Sequence, residues 1–281
     1  MIELRCEIHA DMVQPLEDHF CELTRSSWML FNEGPGRPHF VMGYFEDEAE
    51  AETAWAGLRK AFKKLPESFE RTKMEDKDWK EAYKEHLRPW SHGRLHWVPS
   101  WMRATHATPA DAAVIWFDAG LAFGTGDHPT TRLCMEWLEQ HVEAGCSVLD
   151  YGCGSGILAI LARKLGADSV DGVDIDPQAI SAAHDNAKRN QCDDVRWFVP
   201  SDYALARAST RYDIVAANIL SGPLKLMAPM LASRVAQGGA VVLSGILARQ
   251  ADELIASYAP YIALSVAAER EGWVALAGRK E

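Results

Sequence analysis

The sequence predicts an α/β protein. It reads as an open, mostly parallel, Rossmann-like sheet with helices on both faces and an antiparallel C-terminal hairpin, preceded by a small α+β domain of ferredoxin-like order. Three observations carry this. Five apolar or β-branched runs at 147–149, 170–175, 195–199, 214–217 and 240–243 alternate with helical stretches near 157–165, 177–190, 222–236 and 247–257. Apolar runs at 262–270 and 273–279 flank the tight-turn pair Glu271-Gly272. Residues 1–74 read as β-α-β-β-α-β.

Each element has its own signal. Ile2, Leu4, Cys6 and Ile8 alternate as in a half-buried strand. Met12, Leu16, Phe20 and Leu23 keep helical spacing over 11–25, with Pro15 in the first turns, where proline is tolerated. Two short apolar runs, 28–31 and 40–45, enclose Glu33-Gly34-Pro35-Gly36-Arg37-Pro38 and predict a hairpin. Residues 47–65 predict a helix with Ala51, Ala54, Trp55, Leu58 and Phe62 inward, stopped by Pro66, and 69–74 a last strand. Over 76–87 a narrow stripe of Trp79, Ala82, Tyr83 and Leu87 runs among i,i+4 charge pairs, the pattern of a solvent-rich connecting helix ended by Pro89. The expected division is 1–74, a linker at 75–90, and 91–281, where 114–117 reads as a strand and 129–141 as a helix.

Composition excludes several function classes. Apolar residues make up 48% and charged residues 25%, an ordinary globular mixture rather than a disordered one. No stretch approaches the roughly 18 apolar residues of a membrane span, and Met1-Ile2-Glu3-Leu4-Arg5 is unlike a signal or transit peptide. The net charge of −11 disfavours non-specific nucleic-acid binding and favours a basic or a small partner. Six cysteines without a C-x-x-C pair read as reduced thiols of a cytoplasmic protein. His92 and His96 read as surface histidines, so no metal site is expected, and Trp90, Trp97, Trp101 and Trp116 read as packing.

The chemistry begins at Asp150-Tyr151-Gly152-Cys153-Gly154-Ser155-Gly156, between a strand and a helix start. Glycines let the backbone turn and approach a ligand, and free amides at a helix start suit its anionic oxygens. The spacing is G-x-G-x-G, with Ile157 where a dinucleotide fingerprint would continue. Asp150 would repel a pyrophosphate but can hold an ammonium group. Asp174, 22 residues past Gly152 at the end of the next strand, can accept two hydrogen bonds from a ribose diol. Ribose recognition without a pyrophosphate loop points to a nucleoside carrying an amino acid, S-adenosylmethionine. Cys153 reads as a small loop residue. A tight turn is the bland reading of the loop, and Asp150 and Asp174 weigh against it.

Asn218 ends the fourth strand of the sheet, where ligands of such sheets lie, and its carbonyl can orient an attacking amine. Ser221 stands three residues on, where enzymes that methylate planar nitrogens usually place an aromatic ring, so an aliphatic amine is expected. The bland reading is a strand-end cap. The segment 121–131 reads equally as a lid, with Thr131 reaching the cofactor, and as an ordinary helix-entry loop.

Phe123-Gly124-Thr125-Gly126, His128-Pro129-Thr130-Thr131, the glycine loop through Ile160, Gly172 to Ile180, Ala217-Asn218-Ile219-Leu220 and Leu243-Ser244-Gly245-Ile246-Leu247 together resemble one family. It is the bacterial lysine methyltransferases of the large-subunit ribosomal protein numbered eleven. The resemblance is dense over 75–281 and rests on architecture alone over 1–74. It implies a class I, Rossmann-like methyltransferase sheet and S-adenosylmethionine contacts at Thr131, Gly152, Asp174 and Asn218. It also implies methylation of lysine ε-amines and an N-terminal α-amine, up to the trimethyl state, on a basic ribosomal protein recognised by the N-terminal domain. Asp127 departs from the pattern, many members having Thr there. A protein-lysine methyltransferase with another acceptor and a non-catalytic S-adenosylmethionine-binding assembly factor are the rival functions. A nicotinamide-dependent oxidoreductase is disfavoured by the loop spacing and Asp150.

Overall fold

The computed structural model describes residues 2–22, 27–32, 38–73, 88–117 and 126–281. The chain divides into two compact units, Met1–His86 and Leu87–Glu281. The connecting helix expected at 76–87 and the segment 121–125 lie outside the described residues.

The first unit runs β1 (Ile2–Ile8), α1 (Val13–Glu22), β2 (Trp28–Asn32), β3 (His39–Phe45), α2 (Glu48–Ala61) and β4 (Glu70–Lys73). Its sheet is antiparallel throughout, in the order β2-β3-β1-β4. Leu4, Cys6 and Ile8 alternate into a core that Leu16 enters from α1 and Ala51, Trp55 and Leu58 from α2. A short 3-10 turn at Ala10–Met12 precedes α1, whose third residue is Pro15. Pro15 has no amide for the preceding helical bond, so the regular α-helix starts late. The side chain of Asp47 caps α2 by accepting from the Glu50 amide at 2.9 Å. This helix stops at Ala61, short of Pro66. Phe62 leaves helical geometry and the chain folds back through a Leu65-to-Phe62 backbone bond of 3.0 Å, which buries Leu65.

The second unit opens with β5 (Trp90–His92), β6 (Leu95–Pro99) and β7 (Ala113–Phe117), which form a sheet of their own. Trp90, expected to close the linker, instead pairs with Trp97 across β5 and β6. Trp97 is fully buried and stacks on Phe117, their ring centres 5.8 Å apart. There follow α3 (Pro129–His141), β8 (Ser147–Tyr151), α4 (Ile157–Leu165), β9 (Ser169–Val173), α5 (Pro177–Arg189), β10 (Arg196–Phe198) and α6 (Pro200–Ala206). The chain then continues through β11 (Tyr212–Asn218), α7 (Ser221–Leu226), α8 (Ala228–Arg234), β12 (Val235–Leu247), α9 (Ala251–Tyr258), β13 (Ser265–Arg270) and β14 (Trp273–Arg279).

The main sheet has the order β10-β9-β8-β11-β12-β14-β13. The first five strands are parallel, and β14 runs antiparallel to β12 and β13. Glu271 and Gly272 both have positive φ, 53° and 78°, as the tight turn between β13 and β14 needs. The single helix expected at 222–236 is two, because Pro229 in the first turn of α8 lacks the amide that would carry α7 onward. Beneath the sheet, buried Asp171 on β9 accepts from Arg207 at 3.0 Å and from the Tyr212 hydroxyl at 2.6 Å, and also pairs with Arg196. That cluster ties β9, β10 and β11 together. The parallel order reverses between β8 and β11, and the carboxyl ends of these two strands flank the crevice where such sheets hold ligands.

Candidate active site

The loop after β8 is built on three glycines with positive φ, Gly152 at 80°, Gly154 at 51° and Gly156 at 78°. A side chain on Gly152 would collide with Ile219, and one on Gly156 would lie 2.6 Å from the Trp197 ring. The loop is pinned to the neighbouring strand by two bonds, since the amides of Gly152 and Cys153 both donate to the Val173 carbonyl, at 2.7 and 3.0 Å.

Asp174 begins where β9 ends. One of its carboxylate oxygens accepts from the Gly154 amide at 2.8 Å and the other from the Asp176 amide at 2.9 Å. It therefore braces the loop, a role the sequence reading did not include. Each oxygen keeps a lone pair for a further donor.

Asp150 is buried at the end of β8. Its Oδ2 accepts from the Ala159 amide at 3.1 Å, and its Oδ1 has no partner among the described residues. Burial, opposed by the Ala159 amide and reinforced by nearby Asp174, pushes its pKa up to about 7. Cys153 is also buried, and burial with the Asp150 and Asp174 charges raises its thiol well above the usual value. A thiol held protonated is a poor nucleophile, as expected of a loop residue.

On the other wall, Asn218 ends β11 and Thr131 stands in the first turn of α3. The Asn218 side-chain amide donates to the Thr131 hydroxyl at 3.1 Å, across 87 positions of sequence. With Nδ2 so engaged, the carbonyl oxygen Oδ1 is the acceptor available for an amine. Ile219 is wedged between two glycines. It fills the space beside Gly152, and its backbone passes so close to Gly245 that a side chain there would strike it. Gly245 sits where the register of β12 shifts against β14, with φ of 85°. Neither Ile219 nor Gly245 stood out in the sequence as a site residue, because each matters only through a partner far along the chain.

Asp127 pairs with Arg132, whose guanidinium lies 4.7 Å from the centre of the Trp90 ring. The extra charge is compensated one turn away. His92 lies 3.6 Å from Glu139, and His96 faces the ring of His106. Five described cysteines are free thiols. No helix among the described residues is long and apolar enough to cross a membrane.

The site thus combines an alternating-glycine loop, a buried acid beside it, an acid at the end of the next strand and an amide at the end of the fourth. A family model for ribosomal protein L11 methyltransferase (PrmA) matches residues 17–281. The chain belongs to the ribosomal protein L11 methyltransferase family. A ribosomal protein L11 methyltransferase from Janthinobacterium sp. (strain Marseille) is 54% identical over 208 residues, 73% of this chain and 66% of that protein. One from Burkholderia vietnamiensis (strain G4 / LMG 22486) is 56% identical over 214 residues, 75% of this chain and 68% of the relative. The matched stretch spans about two thirds of these relatives' length. The crystal structure of a ribosomal protein L11 methylase from Lactobacillus delbrueckii subsp. bulgaricus superposes with a TM-score of 0.61 at 33% identity. It covers 69% of this chain and all of that one. Membership of the L11 methyltransferase family makes the sheet a methyltransferase sheet.

Proposed function

We propose that this protein transfers methyl groups from S-adenosylmethionine to lysine ε-amines, and to the N-terminal α-amine, of ribosomal protein L11 in the cytoplasm. The observation that carries this is the Asn218–Thr131 hydrogen bond, which sets an amide carbonyl at the end of β11 beside the glycine loop. The residues fit the cofactor. Asp150, two residues before Gly152, keeps a carboxylate oxygen without a partner among the described residues, suited to the ammonium of an amino acid. Asp174 keeps lone pairs for a ribose diol. Gly152, with positive φ and Ile219 packed against it, holds the tight turn that brings the loop backbone within reach of a ligand.

When bound, S-adenosylmethionine supplies a sulfonium methyl that an amine nitrogen takes in line with the departing sulfur. The chain's own part is proximity and alignment. A lysine with pKa about 10.4 is less than ~0.1% neutral at pH 7, so the pocket must favour the uncharged amine, and desolvation does so. The Asn218 carbonyl accepts an N–H of the amine in the first two transfers and so orients its lone pair. Ser221 and Gly222, small residues at the start of α7, leave room for an amine that grows with each methylation.

Residues 1–74 are proposed as the substrate-recognition domain, of ferredoxin-like split order, 75–90 as its linker and 91–281 as the cofactor domain. The strand order β2-β3-β1-β4 supports the split arrangement of the first of these. Fourteen carboxylates against nine Lys and Arg in 1–74 suit a basic ribosomal protein. No direct nucleic-acid or membrane partner is expected. Labelled methyl donor given with purified ribosomal protein L11 should label that protein at its amines. Label appearing in another protein of a lysate but not in L11 would overturn the acceptor, and absence of cofactor binding would overturn the chemistry.

Two results follow from the assignments. Asn218→Ala is expected to lower kcat more than it raises the Kd for S-adenosylmethionine. Full turnover at saturation with weakened binding would instead make Asn218 a binding residue. Asp174→Ala is expected to weaken cofactor binding by roughly 1.5–3 kcal/mol, the range for hydrogen bonds to a charged group. Because Asp174 also braces Gly154, the variant should unfold at lower temperature yet remain folded at 25 °C. Calorimetric titration showing wild-type affinity would remove Asp174 from the ribose site.

A further inference from the structure

The first turn of α3 connects the C-terminal hairpin to the transfer centre. His128 is the N-cap of this helix, with Pro129 following at its first position. Its Nδ1 accepts from the Thr130 amide at 3.3 Å and lies 2.8 Å from the Thr130 hydroxyl. The next residue, Thr131, is the partner of Asn218. On its other side the His128 ring stands edge-on to Trp273, with ring centres 5.2 Å apart and planes at 71°. Trp273 directly follows the Glu271-Gly272 turn and is buried. The hairpin is anchored to the same helix by a bidentate pair from Arg270 to Glu136, at 2.9 and 3.1 Å.

We propose that His128, held by Trp273, is a positioning residue for methyl transfer: it fixes the first turn of α3 so that the Thr131 hydroxyl meets Asn218. The proposal rests on the reading that Thr131 and Asn218 serve the transfer.

A helix-start amide can only donate, so Nδ1 accepts and the neutral ring carries its proton on Nε2. Protonation would set one donor against another and place a positive charge at the positive end of the helix dipole. The burial of the ring opposes protonation, while the carboxylates of Glu271 on the hairpin and Asp127 on the loop favour it, and burial is the stronger. Loss of the cap loosens the turn that carries Thr131, since Pro129 has no amide and Thr130 would lose its acceptor. Asn218 would then lose the partner that orients its carbonyl.

The test uses the full chain, saturating methyl donor and L11 as acceptor. His128→Ala should lower kcat about fivefold at pH 8, the rate equivalent of a lost cap, and His128→Asn should recover most of it because Asn caps well and does not titrate. The ratio of wild-type kcat to that of His128→Asn cancels the acceptor's own ionisation. It should be flat above pH 6.5 and fall as the pH drops further. Trp273→Ala should act in the same direction as His128→Ala, and in an Asn218→Ala background His128→Ala should cost little more. Wild-type kcat in folded His128→Ala, or a kcat ratio flat down to pH 5, would overturn the proposal. If His128→Ala does not fold, the ratio decides alone. Full turnover by Asn218→Ala would instead overturn the parent reading of the transfer centre.

Discussion

Replacing Asp150 by asparagine is expected to make the free protein more stable at pH 8 and at the same time to weaken its hold on S-adenosylmethionine at least tenfold. The buried carboxyl titrates at about 7 rather than near the usual 3.8. Between those values the folded protein keeps a proton that the unfolded chain has released, so stability falls as pH rises through that window and stays low above it. At ~1.4 kcal/mol per pH unit the charged carboxylate costs the fold up to about 4 kcal/mol, an upper bound. The asparagine NH2 left without an acceptor returns roughly 1–3 kcal/mol of that cost. A net gain of about 1–3 kcal/mol at pH 8, reversing to a deficit of similar size near pH 4 where the wild-type carboxyl is neutral, should be seen in urea midpoints. The cofactor's ammonium favours the charged carboxylate, so binding near pH 6 should release a proton, measured by titration calorimetry in two buffers of different ionisation enthalpy. Asp150→Asn should abolish that release. A variant less stable than wild type at pH 8 would mean the carboxylate is already satisfied in the free protein.

Removing the first compact unit is expected to separate the two halves of the function. A shortened protein beginning at Leu87, which keeps Trp90 and its pairing with Trp97, should bind S-adenosylmethionine as the whole chain does. It should lose at least about 100-fold in methylation of L11, a deficit of ~2.7 kcal/mol of recognition. A start at Ser91 would remove a strand residue whose ring supports Arg132. For the whole chain, substrate capture should weaken as salt rises, because Glu46, Asp47, Glu48, Glu50 and Glu52 form an exposed acidic run whose attraction to a basic protein is screened. Full methylation by the folded, shortened protein would overturn the recognition role of residues 1–74.

The parts of the site written within one strand–loop–helix stretch were legible in the sequence. Asp150, the three glycines and Asp174 lie at the strand end, in the turn and just past the next strand as their spacing predicts, because the backbone between them is short and regular. Thr131 and Asn218 could be named separately, but not their contact, which depends on α3 lying across the end of β11. Ile219 between Gly152 and Gly245 was invisible for the same reason. Boundaries failed where local signals competed with burial: α2 ends early so that Leu65 can turn inward, and Pro229 divides a stretch whose apolar spacing reads as one helix. Pro200, which opens α6, was a usable helix-start signal that passed unread.

The sheet order also bears on how the crevice comes into being. β8 and β11 are neighbours, yet the chain forms β9, α4, α5, β10 and α6 between them. Closing a loop of that length is entropically expensive and gives no contact energy until both ends meet. The pairing that brings Asn218 beside the glycine loop is therefore expected after the rate-limiting barrier of folding rather than before it. S-adenosylmethionine, which needs both walls, should slow unfolding and leave the refolding rate nearly unchanged. Stopped-flow refolding that accelerates with added cofactor would place the crevice in the nucleus instead.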